Sequence, residues 1–191
     1  NVSYPFSSIG TADYESMIAV GTASISSTAT GVAIGQIVMG ASLTTGQLLW
    51  NVTTDTTGLV TIFNSLSMVA DHGKFASRMS DGYIYAWDLH TGSIAWKTAM
   101  PSPWGEFGVY DVYSAYGFLY SNAYDGIRAI NWTNGNIEWT FQAPAPPFET
   151  PYTNPNGSSV YSFSAPGYVA DGKIYTFNCE HTPTEPLTRG W

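Results

Sequence analysis

Residues 178–183, Asn-Cys-Glu-His-Thr-Pro, put an amide, a thiol, a carboxylate and an imidazole in four consecutive positions. Asn178, Glu180 and His181 are donors that could ligate a metal, and their oxygens would suit calcium. The plainer reading, which the residues favour, is a polar loop in which Glu180 and His181 hydrogen-bond to nearby backbone. Cys179 beside His181 could also form a nucleophile pair, but such a pair needs a third group to orient it, and the sequence supplies none. Cys179 is the only cysteine, so no internal disulfide can form, and a lone thiol behaves by default as a small buried hydrophobe. His72 and His90 stand in turn-forming stretches and are expected to be solvated. No catalytic residue is assigned.

The second chemical signal is modification. Asn-x-Ser/Thr sites occur at Asn1, Asn51, Asn131 and Asn156, all in expected loops or strand ends. Only 10% of the 191 residues are charged, against roughly 25% in an average soluble domain. Fourteen acidic residues against six basic ones give a net charge of −8, with no basic run. That balance excludes a nucleic-acid partner or an anionic membrane surface, either of which calls for clustered Lys and Arg. The longest mostly apolar stretch, residues 31–43, is too short and too Gly-rich to span a bilayer. Sequons, few lysines and many Ser and Thr together point to an extracellular or cell-surface glycoprotein carrying N-linked glycans.

These residues must be positioned by something, and the chain repeats itself. GQIVMGASLTTGQLLWNV begins at Gly35, DGYIYAWDLHTGSIAWKT at Asp81 and DGIRAINWTNGNIEWTF at Asp125. Each has a Gly turn, an alternating strand, a second Gly turn at Gly46, Gly92 or Gly135, and a strand bearing Trp50, Trp96 or Trp139. The second-turn glycines are 46 and then 43 residues apart, and a fourth copy is expected to begin at Asp171.

Asp-Gly and Asn-Gly supply the positive φ angles that tight hairpins need. Alternation of Tyr83, Tyr85 and Trp87 with Ile84, Ala86 and Asp88 gives a strand two different faces. No segment carries a helical period, and the Pro-rich residues 143–157 read as a loop. Multi-stranded units recurring at this spacing indicate an all-β chain, a β-propeller of four-stranded antiparallel blades. A β-sandwich would explain the strands but not the returning Gly and Trp positions. The expected blades are approximately 10–53, 60–100, 107–143 and an incomplete 158–191, about three and a half in all. Trp50, Trp96 and Trp139 should occupy equivalent places in successive sheets and be largely buried where one blade packs on the next.

Residues 81–96 resemble the repeat of the quinoprotein-type propellers, D-G-x-[IVL]-Y-A-x-[DN]-x-x-T-G-x-x-x-W, nearly position for position. Residues 125–139 match with one residue fewer, and residues 35–50 in their second half. The resemblance implies a ring of seven or eight blades of which this chain is part. It is nearest to archaeal secreted members, through YDGIRAINWTNGNIEW and CEHTPTEPLTRG. Some members are dehydrogenases that set a vicinal cysteine pair against pyrroloquinoline quinone and hold calcium nearby. With Cys179 alone the vicinal pair cannot form, so no quinone is expected; no cofactor or metal is assigned, and calcium is the ion the 178–181 loop could take.

The function expected is therefore a non-catalytic extracellular scaffold, adhesion or assembly subunit. Its partners would be the remainder of the same propeller or neighbouring subunits. Two alternatives stand beside it: part of a quinoprotein dehydrogenase whose active site lies elsewhere, and a carbohydrate-binding propeller using Trp104, Phe107 and Tyr110.

Overall fold

In the computed structural model, the described residues are 2–6, 8–26, 28–29, 33–53, 68–79, 82–100, 112–123, 126–142, 167–176, 179–180 and 189–190. Every regular element among them is a strand. The first sheet contains β1 (Ser8–Asp13), β2 (Ile18–Ser26), β3 (Ala33–Ser42) and β4 (Leu48–Thr53), in that order. The second contains β5 (Met68–Asp71), β6 (Lys74–Arg78), β7 (Tyr83–Asp88) and β8 (Ile94–Ala99). The third contains β9 (Val112–Ala115), β10 (Phe118–Ala123), β11 (Gly126–Asn131) and β12 (Ile137–Gln142). Two strand pairs follow, β13 (Tyr168–Ala170) with β14 (Lys173–Tyr175), and β15 (Cys179–Glu180) with β16 (Arg189–Gly190). These are four-stranded meanders of the propeller-blade kind. The chain divides into two compact units, 1–98 and 99–191.

Turn chemistry explains the meanders. The hairpins β5–β6, β9–β10 and β13–β14 turn on His72-Gly73, Tyr116-Gly117 and Asp171-Gly172, with φ near +50° and then between +68° and +81°. Two consecutive positive φ angles match the twist of the flanking strands, and glycine takes the second without steric cost. This placement corrects the sequence reading of the fourth copy. Asp171-Gly172 closes a first hairpin, equivalent to His72-Gly73, and not the turn that Gly82 enters between the second and third strands; Asp81 and Asp125 themselves lie outside the described residues. An Asp-Gly pair suits either turn, so the dipeptide alone could not say which. Gly35 likewise lies inside β3, opposite Ile25, and not in a turn.

The last hairpin of each sheet is built the same way three times. Gly46, Gly92 and Gly135 have φ of +74°, +71° and +77°, and donate to the carbonyls of Ser42, Asp88 and Asn131. The side chain at that last position caps the turn. Ser42 Oγ accepts from the Thr44 and Thr45 amides, Asp88 Oδ1 from the His90 and Thr91 amides, and Asn131 Oδ1 from the Thr133 amide. Short oxygen-bearing side chains do this by imitating a backbone carbonyl.

In the first unit the core gathers on Trp50. Its ring stacks on Phe75 at 5.7 Å and 6°, and Phe75 stacks on Trp87 at 4.9 Å and 11°. Ile18, Val20, Val38, Met68, Met79 and Leu89 close around them. Trp50 Nε1 donates to the Leu89 carbonyl at 2.7 Å, satisfying a buried donor that would otherwise be costly. A Cβ on Gly40 would fall within the indole, and one on Gly92 would lie 2.6 Å from it. The indole thus needs a glycine in its own sheet and another in the turn of the next.

Trp50→Ala should lower the unfolding free energy by about 3–5 kcal/mol, since it removes a buried ring, its stack and its hydrogen bond. Chemical denaturation read by near-ultraviolet circular dichroism measures this. A second expectation concerns acid. Partial burial pushes the Asp88 carboxyl upward, but the bonds from the Thr91 hydroxyl and the Thr91 and His90 amides outweigh it, leaving it below its ordinary 3.8. A carboxyl depressed in the folded state adds stability above the unfolded value and loses it as pH falls through the folded one. Thermal melts should therefore show Asp88→Asn destabilised at pH 7, with the gap to the parent closing below the ordinary carboxylate range.

Candidate functional site

Strand β12 sets Trp139 and Phe141 on one face, as β4 sets Trp50 and Val52. The register is the same in both sheets: Trp139 pairs with Ala129 and Trp50 with Gly40, each just before a bulge. Exposure is not the same. Trp50 and Trp96 are each 8% exposed, whereas Trp139 is 41%, with Ile137 at 38% and Phe141 at 50%. The expectation that all three tryptophans are largely buried is thus corrected for Trp139.

The reason lies in what covers each ring. Trp50 is sealed by Leu89 and Gly92, which follow the third strand of the neighbouring sheet. Beside β12 stand β13 and β14, three residues each, and among the described residues no third strand pairs with them. A cavity of about 670 Å³ remains, lined by Tyr120, Ile127, Trp139 and Phe141 on one side and by Val169 and Lys173 to Thr176 on the other. Tyr116, from the β9–β10 turn, closes one end and accepts a hydrogen bond from the Gly172 amide at 3.1 Å.

The walls are braced. Tyr120 stacks on Tyr113 at 5.4 Å and meets Trp139 obliquely at 5.9 Å. The Tyr113 hydroxyl donates to Asn122 Oδ1 at 2.8 Å, and Asn122 Nδ2 reaches Thr176 Oγ1 at 3.4 Å, tying β10 to the residue after β14. Burial pushes the Tyr120 hydroxyl upward, and neighbouring Tyr116 adds to it, so Tyr120 stays neutral. The described lining carries aromatic rings, aliphatic side chains and the Lys173 ammonium, but no carboxylate, thiol or imidazole. Such a cavity can bind an apolar or aromatic group.

None of the other sequence-derived candidates is among the described lining residues. Cys179 and Glu180 form β15, a short strand where a loop was expected, while Asn178 and His181 lie outside the described residues. Among the described residues no three His, Cys, Asp or Glu side chains gather as a metal site would require. Asn51 is exposed, but within β4 and not in a loop. Asn131 ends β11 with its amide nitrogen donating to Glu138 Oε1 at 3.0 Å. Asn1, Asn156, Trp104, Phe107 and Tyr110 lie outside the described residues. His72 and His90 are exposed in turns, His72 beside the Asp71 carboxylate at 2.9 Å. Sequence reasoning missed Tyr116, Tyr120 and Tyr175; the available signal was the aromatic placed in or beside each first-hairpin turn of residues 113–120 and 168–175.

A family model described as outer membrane protein assembly factor BamB matches residues 35–179. Three solved structures share the architecture, each at 15% identity. BamB from Moraxella catarrhalis aligns with a TM-score of 0.61 over 90% of this chain and 48% of its own. Quinohemoprotein alcohol dehydrogenase from Comamonas testosteroni aligns at 0.56 over 87% and 28%. The computationally designed Ika4 protein aligns at 0.52 over 100% and 95%. This chain therefore spans about half of the BamB structure and less of the dehydrogenase. No curated protein sequence matches. Likeness at this identity speaks for fold alone.

Because its ring is already partly in water, Trp139→Ala should cost about half or less of what Trp50→Ala costs. Paired denaturation curves decide it. Equal losses would mean that Trp139 is sealed as Trp50 is.

Proposed function

This chain belongs to the family of the outer membrane protein assembly factor BamB, and from that membership we propose that it is a non-catalytic scaffold or assembly subunit of the cell surface. The observation carrying the reading is the Trp139 face: an apolar, aromatic strand surface that, among the described residues, takes part in no sealed blade contact comparable with that of Trp50. The chemistry of the Trp50 contact supports a definite mode of use. A partner strand would place one large apolar side chain in the cavity and a backbone carbonyl within reach of the Trp139 indole, adding main-chain pairing at a strand edge. The partner would be more of the same propeller or a neighbouring subunit, and the low charge of the chain suits such a contact.

The family description places relatives at the outer membrane, which agrees in kind with an extracellular or surface location for this chain. N-linked glycans belong to the same reading. Asn51, exposed on the outer strand β4, is the better acceptor, because the Asn131 amide nitrogen is engaged by Glu138. Site-resolved glycopeptide sequencing of native material should find a glycan on Asn51 more fully than on Asn131.

A photo-crosslinking phenylalanine analogue at position 141, expressed in the source cells, tests the scaffold role. The expected result is one discrete adduct with a surface protein or neighbouring subunit, abolished by Trp139→Ala. No adduct, or alcohol oxidation that depends on added pyrroloquinoline quinone and calcium, would contradict it.

A further inference from the structure

The first sheet carries the same tryptophan socket as the second, and something other than a tryptophan fills it. In the second sheet the socket consists of the Leu89 carbonyl and Gly92, with the Leu89 amide anchored on the Gly73 carbonyl at 3.0 Å. In the first sheet Leu43 and Gly46 hold the corresponding places, and the Leu43 amide is anchored on the Met17 carbonyl at 2.9 Å. Both lie one and four residues beyond the capping side chain, Ser42 or Asp88, and both glycines have φ near +70°. The second socket accepts the Trp50 indole. The Leu43 carbonyl instead accepts the Tyr4 hydroxyl at 3.2 Å.

The rest of the occupant corresponds as well. A Cβ on Gly46 would run into the Ser3 carbonyl and the Val2 side chain, as one on Gly92 would run into Trp50. Trp50 rests on the Phe75 ring of β6, where Phe75 pairs with Trp87; the equivalent position in β2 is Ala19, paired with Ala41. The missing ring comes from the same terminal segment: Phe6 stacks on Tyr4 at 5.4 Å and 12° and lies against Gly21 of β2.

We propose that residues Val2–Phe6 are a docking strap, in which Tyr4 and Phe6 fill the tryptophan socket of the first sheet. The strap is the weaker occupant. Its hydrogen bond is longer than that of Trp50, Tyr4 is half-buried, and Val2 is 46% exposed. A strand with the pattern of β4, an apolar residue two places either side of a tryptophan, should displace it, because it brings a larger buried ring and a charge-neutral indole donor to the same carbonyl. This inference concerns the face of the first sheet and is independent of the Trp139 cavity.

The probe is a synthetic peptide of residues 46–53, fluorescently labelled, titrated by anisotropy into the full chain. Tyr4→Ala should bind it about tenfold more tightly than the parent, and Tyr4→Trp about tenfold more weakly, because the strap then competes less or more. Gly46→Ala added to Tyr4→Ala should abolish binding. Tyr4→Phe, which keeps the ring and loses only the hydroxyl, should fall between parent and Tyr4→Ala, and it carries the test should the alanine variant not fold. The same affinity for parent, Tyr4→Ala and Tyr4→Trp, no binding by any of them, or binding indifferent to Gly46 would overturn the proposal. Concentration-dependent dimerisation of Tyr4→Ala with unchanged peptide affinity would also overturn it, assigning the socket to a second copy.

Discussion

A tryptophan indole held between two glycines, with its N–H on a carbonyl of the next sheet, is the contact on which the rest depends. Trp50 shows it whole. Gly40 lets the ring lie flat on its own sheet, Gly92 lets the neighbouring turn close over it, and the Leu89 carbonyl takes its proton. Neither glycine can be exchanged cheaply: one faces a ring with no free space, and the other also carries a backbone angle that L side chains resist. The Asp88 cap and the Gly73 carbonyl then fix where that turn and that carbonyl stand. A repeat whose strands are short and charge-poor is made cohesive by this one large, hydrogen-bonded ring, and its spacing sets the period of the chain.

The same contact explains the chain's two unusual surfaces. Where the socket lacks a tryptophan, on the first sheet, a terminal segment brings Tyr4 and Phe6 to it. On β12, where no socket among the described residues covers the tryptophan, the ring and Phe141 border a cavity. Apolar surface of this kind on a strand edge is an invitation to association.

Much of the fold was legible in the residues. Glycines at 46, 92 and 135 and tryptophans at 50, 96 and 139 announced three equivalent hairpins, because positive φ and ring stacking each tolerate few residue types. Register could be read as well, since Trp139 pairs with Ala129 as Trp50 does with Gly40. The fourth copy was misplaced by one hairpin because Asp-Gly satisfies both kinds of turn. The candidate site was hardly legible at all. It arises from what fails to cover Trp139, and a missing neighbour leaves no mark on the strand that lacks it. The polar run at 178–181 drew attention by residue type, and of it the structure describes only Cys179 and Glu180, which form a two-residue strand. Tyr4 was equally hidden, since nothing in NVSYPF resembles a tryptophan strand until its hydroxyl is seen on the Leu43 carbonyl.

The central claim is that the Trp139 face is open in the chain alone and covered in its working assembly. Hydrogen exchange of the indole N–H groups, followed by NMR on 5-fluorotryptophan-labelled protein, tests it directly. In the isolated chain the Trp139 indole should exchange rapidly while those of Trp50 and Trp96 stay protected, and in the native assembly the Trp139 indole should become as slow as they are. A Trp139 indole protected from the outset, or one still exchanging freely within the assembly, would contradict the account.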